Sequence, residues 1–403
     1  MTRTLRHSLL LAARGLLAAA CLLASGFTPA TGLAQAHATC PADSLFHGTP
    51  YLLRMSHQGV TVMFHTRSSC HTWVEYGTDS LHLHRARQLD GGQEVTSSLL
   101  HAVRLDSLTA GQPFVYRVCA TEITQNQAYS KRFGRTARTR FYTSRLPQSG
   151  AHTWRAVVVN DLHNVQQTVD AMAALADSLQ PDFTIVNGDC LSEPASPADA
   201  LHKLQQLTQA FRAAEVPMVV VRGNHEIRNA YADGLLPMLD LQGNRTYGAF
   251  TWGDTRFVLL DCGEDKPDSH WVYYGLNDFS RFRQEQLRFL QEELKSRDFR
   301  RAKCRLLIHH IPIWGGDTDE YNPCLKLWGE TLRRAPFNLE VCAHTHRYAF
   351  HEAQAAGNPY PLVVGGGYDL QEATLLVLER SPKGLTLRVL DATGRTLLLR
   401  EGL

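Results

Sequence analysis

The hydrophobic pattern of this chain changes character once, at Leu146–Ala151, and that change requires two architectures in one polypeptide. Before it, short apolar runs alternate with turns and no helical period appears. Gly59–Phe64 places Val60, Val62 and Phe64 on one face, Thr72–Gly77 is a β-rich run ended by glycine, and Phe114–Val118 alternates again. Strands at this spacing predict an all-β sandwich over residues 40–145. Beyond the polar stretch, strands alternate with amphipathic helices. Ala156–Val159, Phe183–Val186 and Met218–Val221 read as buried strands. Val165–Leu179, Leu201–Ala214 and Phe282–Arg297 read as helices, the last with Leu287, Leu290 and Leu294 on one face. The tail, Ala373–Leu399, reads as antiparallel strands turning at Pro382–Gly384 and Ala392–Gly394. The expected fold is therefore a β-sandwich followed by an α/β domain over residues 152–403, with two mixed sheets flanked by helices.

A length of 403 residues suits two domains. The formal charge of +2 includes three Arg and no acid in residues 1–36, so it changes sign without that segment. The segment reads as an export signal. Arg3, Arg6 and Arg14 form a basic start, Leu16–Phe27 is an apolar stretch too short to span a bilayer, and Ala34-Gln35-Ala36 offers small residues for cleavage. A secreted or periplasmic protein follows, with an uncleaved N-terminal anchor or a lipid attached at Cys21 as the alternatives. No stable membrane insertion is expected after cleavage. A near-neutral remainder without a Lys/Arg-rich strip argues against a specific nucleic-acid partner. Eight cysteines follow the signal in no C-x-x-C spacing, which argues against a thiolate zinc site; an even count permits disulfides in an exported protein. Cys262 and Cys342 sit inside apolar runs and read as buried free thiols.

Polar clusters recur where the apolar strands of the second half stop: Asn160-Asp161-Leu162-His163, Gly188-Asp189, Gly223-Asn224-His225-Glu226, His310-Ile311-Pro312 and Ala343-His344-Thr345-His346. In open α/β sheets the strand carboxyl ends share one rim, so these five clusters should converge. Gathering so many carboxylates and imidazoles is costly unless they pair or bind metal. His82, His84 and His101 in the first half read as surface or structural histidines.

These five blocks, in this order, resemble the calcineurin-like metallophosphoesterase superfamily over roughly residues 152–368. With the preceding sandwich, the chain resembles a purple acid phosphatase-like architecture. The resemblance implies a four-layer metallophosphoesterase domain holding two metal ions. One would be held by Asp161, His163 and His346, the other by Asn224, His310 and His344, with Asp189 bridging both. His310 rather than His309 fits the family pattern, in which one residue and then proline follow the ligand. The neighbouring His309 should point to the opposite face of the strand. An N/O donor set without sulfur suits Mn, Fe or Zn. Two such ions clamp a water, make hydroxide available near neutral pH and polarise the phosphoryl oxygens, while His225 by resemblance assists the leaving group. Glu226 and Asp261 are expected to orient the histidine ligands.

The sequence also departs from that pattern. Ser192 stands where purple acid phosphatases proper carry a ligand tyrosine, and His163 is present where they lack a histidine, so no iron–tyrosinate colour is implied. Ala343 replaces the usual glycine before His-x-His, which is tolerable unless the backbone needs a positive φ. The sandwich resembles a fibronectin type III module through Leu108, Gly111, Phe114 and Tyr116, with Phe114 where a corner tyrosine often sits.

The reading that follows is an exported dinuclear-metal phosphoesterase acting on small phosphorylated molecules. A phosphodiesterase or nucleotide-specific hydrolase of the same superfamily is the alternative. A surface binding protein with a vestigial phosphoesterase domain is the alternative of another class. Trp271, Tyr273, Tyr274, Trp314 and Tyr321, in the loops Glu264–Asn277 and Trp314–Asn322, are candidates to stack on a base or an aromatic leaving group, or to pack the loops.

Overall fold

The computed structural model describes residues 45–239, 245–315 and 321–403. The segment read as an export signal, with Cys21 and Cys40, lies outside the described residues, as do residues 316–320 of the second aromatic loop.

Ten strands precede residue 150 among the described residues: β1 (Tyr51–Ser56), β2 (Gly59–His65), β3 (Cys70–Gly77), β4 (Leu83–Ala86), β5 (Leu89–Asp90), β6 (Gln93–Glu94), β7 (Leu100–Leu105), β8 (Pro113–Gln127), β9 (Ser130–Arg138) and β10 (Tyr142–Arg145). β1, β2 and β7 form one antiparallel sheet; β10, β8, β3 and β4 form the other, with β9 paired to β8. Their facing sides bury Leu52, Val60, Val62, Phe64 and Val103 against Val74, Tyr116, Val118 and Ala120.

The three-stranded sheet is not solvated on its other side. β2 is buried at every position, because Tyr51, Leu53 and Met63 join a second core with Leu204, Leu207, Met218 and Leu239 of the α/β region. Backbone and hydroxyl groups close this junction. Leu52 N–H donates to Ala213 O at 2.8 Å. Tyr51 Oη donates to Met238 O at 2.8 Å, and Ser144 Oγ to Glu215 O at 2.7 Å. Phe114 lies in the sandwich core, and Tyr116, two residues on, carries its hydroxyl across the junction to Ala214 O at 2.6 Å.

The α/β region then runs β11 (Trp154–Val159), α1 (Gln166–Leu179), β12 (Phe183–Asn187), α2 (Pro197–Ala210), β13 (Met218–Val221), the single turn α3 (Leu236–Leu239), β14 (Gly248–Trp252), β15 (Thr255–Leu259), α4 (Phe279–Glu293) and α5 (Arg297–Arg301). It continues through β16 (Cys304–Ile308), α6 (Pro323–Arg333), β17 (Leu339–Cys342), β18 (Ala349–His351), β19 (Leu362–Val364), β20 (Thr374–Ser381), β21 (Gly384–Asp391) and β22 (Thr396–Arg400). Two helices start earlier than the apolar periodicity suggests, because side-chain caps set their first turns. Ser196 Oγ accepts from Asp199 N–H ahead of Pro197 in α2, and Asp278 accepts from Arg281 N–H in α4.

Two six-stranded mixed sheets result, in the orders β13-β12-β11-β20-β21-β22 and β14-β15-β16-β17-β19-β18. Period-2 alternation assigns each residue its layer. Ala156 and Val158 face the opposing sheet and pack with Phe183, Phe257, Leu306 and Val341. Val157 and Val159 face α1 and α2. Val258 and Leu307 face the layer containing α4 and α6, where Trp328 is fully buried. The order helix, sheet, sheet, helix is the four-layer arrangement. β11, β12 and β13 are parallel, as are β15, β16, β17 and β19, so the carboxyl ends within each set share one rim.

All seven described cysteines are free and buried. His82 and His84 are exposed, whereas His101 is buried between Thr66 and Thr72 hydroxyls at 3.1 and 3.4 Å. The strip reading needs correction: Lys131, Arg132, Arg135 and Arg138 on β9 and Arg140 just beyond it follow one another within ten residues. A charge averaged over the whole chain concealed it.

Two sandwich histidines give the fold a pH dependence. Burial lowers the pKa of His65 to about 4, helped by the nearby His47 and His101, and burial lowers His101 to about 4. Both are neutral in the folded chain and take up a proton in the unfolded chain below about pH 6.5. Their contribution is complete above that pH and is lost progressively as pH falls towards 4. At pH 5 each is expected to cost about 2 kcal/mol, read from urea unfolding at pH 7 and pH 5. Neither ring nitrogen of His65 has a hydrogen-bond partner. His65→Leu should therefore keep or raise stability at pH 7 and remove about half of the acid loss; an unchanged acid limb would refute the assignment.

Candidate metal centre

Five strands deliver polar residues to the common rim. β11 ends at Val159 and is followed by Asp161 and His163; β12 leads to Asp189; β13 to Asn224 and His225; β16 to His310; β17 to His344 and His346. The chain does not leave these strands in extended form. Asp161, His163, Asp189, His344 and His346 all have positive φ, between 44° and 71°. Such backbone is disfavoured for non-glycine residues and persists only where the surroundings hold it. Ala343 is not among the positive-φ residues, so its methyl group is accommodated. Gly188 is required: its φ is +81°, and a Cβ there would stand 2.3 Å from His310 Nδ1.

The side chains converge into two groups of donors. Ligand atoms of Asp161, His163, Asp189 and His346 all lie within 4.8 Å of one another, and so do those of Asp189, His310 and His344. Asp189 belongs to both. His346 Nε2 is 3.3 Å from Asp161 Oδ1 and 3.2 Å from His163 Nε2. His310 Nε2 is 3.1 Å from Asp189 Oδ2, and Asn224 Oδ1 is 2.9 Å from His344 Nδ1. All seven residues proposed from the sequence thus meet at one place, and His225 stands beside them with Nε2 4.0 Å from Asp189 Oδ2. His309 points away, its Nε2 2.8 Å from the buried Glu340 carboxylate.

The donors are held in ligand-ready form. His310 Nδ1 donates to Asn187 O at 2.8 Å, which turns Nε2 towards the carboxylates. That Nε2 and Asp161 Oδ1 are buried without any hydrogen-bond partner. Orphaned acceptor atoms aimed at each other across a cluster of carboxylates fit bound cations. Burial lowers the pKa of His163 and of His344 to about 4, so both present neutral rings. Burial alone would also lower His310, but Asp189 and Asp161 outweigh it and raise its pKa to about 10. Burial pushes the Asp189 carboxyl up, and the charge of His310 with its hydrogen bond overcomes it and holds it well below the usual carboxylate range. A cation would replace the proton on His310.

Several residues act through partners that the sequence did not reveal. Ser192 Oγ lies 2.8 Å from His163 Nδ1, so the residue that replaces a tyrosine holds a histidine ligand in position. Glu226 touches no histidine ligand, contrary to expectation. Its carboxylate accepts backbone N–H groups of Asp189 and Gly223 on one oxygen, both at 2.8 Å, and of Cys190 and Leu191 on the other, at 2.8 and 2.7 Å. Asp261 likewise pairs with Arg222 at 2.7 Å rather than with a histidine. Tyr368 packs edge-on against His163 and His346. Arg228 Nη1 lies 3.0 Å from His225 Nε2 while its other arm holds Glu264 Oε2 at 3.0 Å. His225 Nδ1 is 3.2 Å from Glu193 Oε1. Arginine only donates, so in this arrangement the His225 proton sits on Nδ1 towards Glu193. Arg228 follows His225 by three residues in a single 3-10 turn, and that spacing is the only local signal for it.

A cleft of about 340 Å³ opens beside His344, lined among others by Asp265, Trp314, Tyr321, Asn322 and Lys326. Of the candidate stacking residues, Tyr273 and Trp314 are buried, Trp271 and Tyr274 are exposed, and Tyr321 is half-buried against Arg283.

Residues 155–348 match the calcineurin-like phosphoesterase family. The matched stretch, which holds every donor residue of the two groups, is a calcineurin-like phosphoesterase domain. Among curated proteins it is similar to the serine/threonine-protein phosphatase CPPED1 of Mus musculus, 24% identical over 202 residues, which is 47% of this chain and 60% of that protein. The chain thus spans 60% of the length of the curated relative it matches. Among solved structures it is similar to the purple acid phosphatase PPD1 from yellow lupin (Lupinus luteus) seeds, with a TM-score of 0.62 and 14% identity over 87% of this chain and 73% of that one. It is also similar to PhoD, with a TM-score of 0.55 and 13% identity over 87% of this chain and 91% of that one. At these identities the two structures speak for the fold.

Loss of the partners behind the donors should weaken metal binding before it weakens the fold. Ser192→Ala and Glu226→Gln are expected to lower affinity for Mn or Zn by about 10- to 100-fold, measured by calorimetric titration of metal-free protein. Unchanged affinity in both variants would show that the donors are held by other means.

Proposed function

We propose that this chain is an exported phosphoesterase that binds two metal ions and hydrolyses phosphate esters of small molecules. The observation that carries the reading is the membership of one carboxylate, Asp189, in both donor groups. A carboxylate has two oxygens and can serve two cations, and a shared ligand fixes their separation. Asp161, His163 and His346 would hold one ion; Asn224, His310 and His344 would hold the other. When bound, the pair supplies Lewis acidity towards water and the phosphoryl oxygens. The N/O donor set suits Mn, Fe or Zn.

The protein's own groups do the rest. Asn224 would offer a neutral oxygen, which would leave an ion there more electrophilic than a second carboxylate would. Arg228, tethered by Glu264, places a permanent cation beside His225, where the oxygens of a phosphoryl group would need neutralising. His225, with Nδ1 held by Glu193, can give a proton from Nε2 to the departing oxygen only as the imidazolium, so Nε2 must first take up a proton from solvent when an ester displaces the Arg228 contact. The cleft beside His344 has the volume of a small-molecule site. It carries both an exposed lysine, Lys326, and an acid, Asp265, which suits a polar leaving group rather than a long polyanion.

Two alternatives differ in what the assay returns. A phosphodiesterase or nucleotide-specific hydrolase would use the same donors with a different cleft occupant, and CPPED1, named as a protein phosphatase, is a reminder that this domain type also serves large substrates. A vestigial domain in a surface binding protein is disfavoured because every donor position is filled.

The test is hydrolysis of a chromogenic phosphomonoester beside its diester, by metal-free protein reloaded with Mn, Zn or Fe. Metal-dependent turnover should fall at least about 1000-fold in Asp189→Asn, and kcat by about 100- to 10,000-fold in His225→Asn with metal content retained. The preferred ester assigns the substrate class. Two ions bound per chain with no turnover on any ester would favour the binding-protein reading.

A further inference from the structure

The near-neutral charge of the chain is the sum of two opposed charges. Residues 45–145 contain twelve Lys and Arg against six Asp and Glu, whereas residues 146–403 contain 26 against 32. A basic sandwich is joined to an acidic α/β region.

The positive charge concentrates on one element. β3 pairs with β8 as far as Cys70 opposite Glu122, while β8 and β9 continue together to Gln127 opposite Ser130. Beyond Glu122 the two strands form a ribbon that extends past the end of β3. On the β9 side it carries Lys131 and Arg132, with Arg135 at its base and Arg138 further along β9 opposite Cys119, in a strand with only one residue that is not exposed. Lys131 Nζ donates to Asn126 Oδ1. Arg132, Arg135 and Arg138 form no ion pair among the described residues, and Glu122 is the only acid on the ribbon. Aromatic groups stand among these cations: Tyr129 at the turn is 104% exposed and Phe133 is 58% exposed.

Cations on an edge strand ordinarily prevent strand-to-strand aggregation. That purpose explains the lysine and arginines but not Tyr129 and Phe133, which favour association and expose apolar area to water. Cations interleaved with exposed aromatic rings suit a surface that is both anionic and partly apolar. A single-stranded nucleic acid presents charge and stacking faces, but proteins receive it in a groove; this ribbon is a projecting edge. A lipid interface offers a broad anionic plane into which aromatic side chains settle at the level of the headgroups.

We propose that the β8–β9 ribbon docks the protein peripherally on an anionic lipid bilayer. Lys131, Arg132, Arg135 and Arg138 supply the electrostatic attraction, and Tyr129 and Phe133 enter the headgroup layer. The acidic α/β region is repelled by the same surface, so the charge division also turns the sandwich towards it. No spanning segment is involved, and among the described residues no helix is long and apolar enough to cross a membrane.

The test is co-sedimentation of the full chain with vesicles of phosphatidylcholine alone or mixed with phosphatidylglycerol, at low and high salt. Binding should require phosphatidylglycerol and should disappear at high salt. It should weaken at least about tenfold in the triple variant Lys131→Gln, Arg132→Gln, Arg135→Gln. Tyr129→Ser with Phe133→Ser should weaken it while the salt dependence stays. None of these residues touches the metal centre, so thermal melting and metal content should not change, and a variant that fails those controls is replaced by the other. Equal binding to neutral vesicles, or full binding by both variants, would overturn the proposal. So would capture by heparin or single-stranded DNA through these residues without any binding to vesicles.

Discussion

Glu226 is buried, and both its oxygens are used up by four backbone N–H groups taken from two different loops. The loop after β12 carries Asp189, and the loop after β13 carries Asn224 and His225. By binding the backbone of both, one carboxylate fixes Asp189, which belongs to both donor groups, relative to Asn224 and His225. Burial raises the Glu226 carboxyl pKa, and the nearby Asp189 charge raises it further. Charge-assisted hydrogen bonds to backbone oppose that tendency and are stronger than neutral ones. The positive-φ conformation at Asp189 is held by the same bonds, since the N–H groups of residues 189, 190 and 191 all turn inward to one acceptor. The donors are therefore arranged by the backbone before any cation arrives.

This arrangement explains which parts of the centre the sequence disclosed. Period-2 apolar runs are visible in one dimension, and so are the polar residues that follow them. The parallel topology then brings those strand ends together without further information. The five polar clusters were legible for that reason, and the family resemblance singled out Asp161, His163, Asp189, Asn224, His310, His344 and His346 within them. His309 and His310 could be separated because adjacent residues of a strand face opposite ways, and Glu340 does receive His309 on the far side. Ser192, Glu193, Arg228, Glu264 and Tyr368 were not legible as partners. Each matters through a contact between loops, such as Arg228 with Glu264 across 36 positions, and no local pattern announces such a contact. Glu226 was noticed but given the wrong work. Its neighbours in sequence are ligands, whereas its neighbours in space are backbone amides.

The sandwich was legible as an element pattern and illegible as a partner. Alternation over Gly59–Phe64 predicts one buried face, yet β2 is buried on both. The second face is covered by residues more than a hundred positions away, Leu204, Leu207 and Met218 among them. Tyr116 illustrates the consequence. Its ring belongs to the sandwich core, and its hydroxyl bonds Ala214 at the foot of the strand that delivers Asn224 and His225. The sandwich therefore supports the β13 end of the α/β region from behind.

That support leaves the other sheet of the sandwich with a different set of constraints. The three-stranded sheet packs against the other sheet and against the α/β region, and the five-stranded sheet joins the same junction through Tyr116 and Ser144, so the projecting ribbon is the part of the sandwich that the junction does not use. The ribbon is where unpaired cations and exposed rings accumulate, and it lies beyond Cys70, the first residue of β3, where neither sheet packing nor the junction needs it. Charge averaged over the chain hides this because the α/β region is acidic in the same measure. An acidic region built around cation-binding carboxylates gains from keeping fixed positive charge at few places near the centre, such as Arg228. A basic module attached to it can then engage an anionic surface without competing for those carboxylates. The opposed charges thus keep two electrostatic tasks, holding cations and meeting anions, on separate parts of one chain.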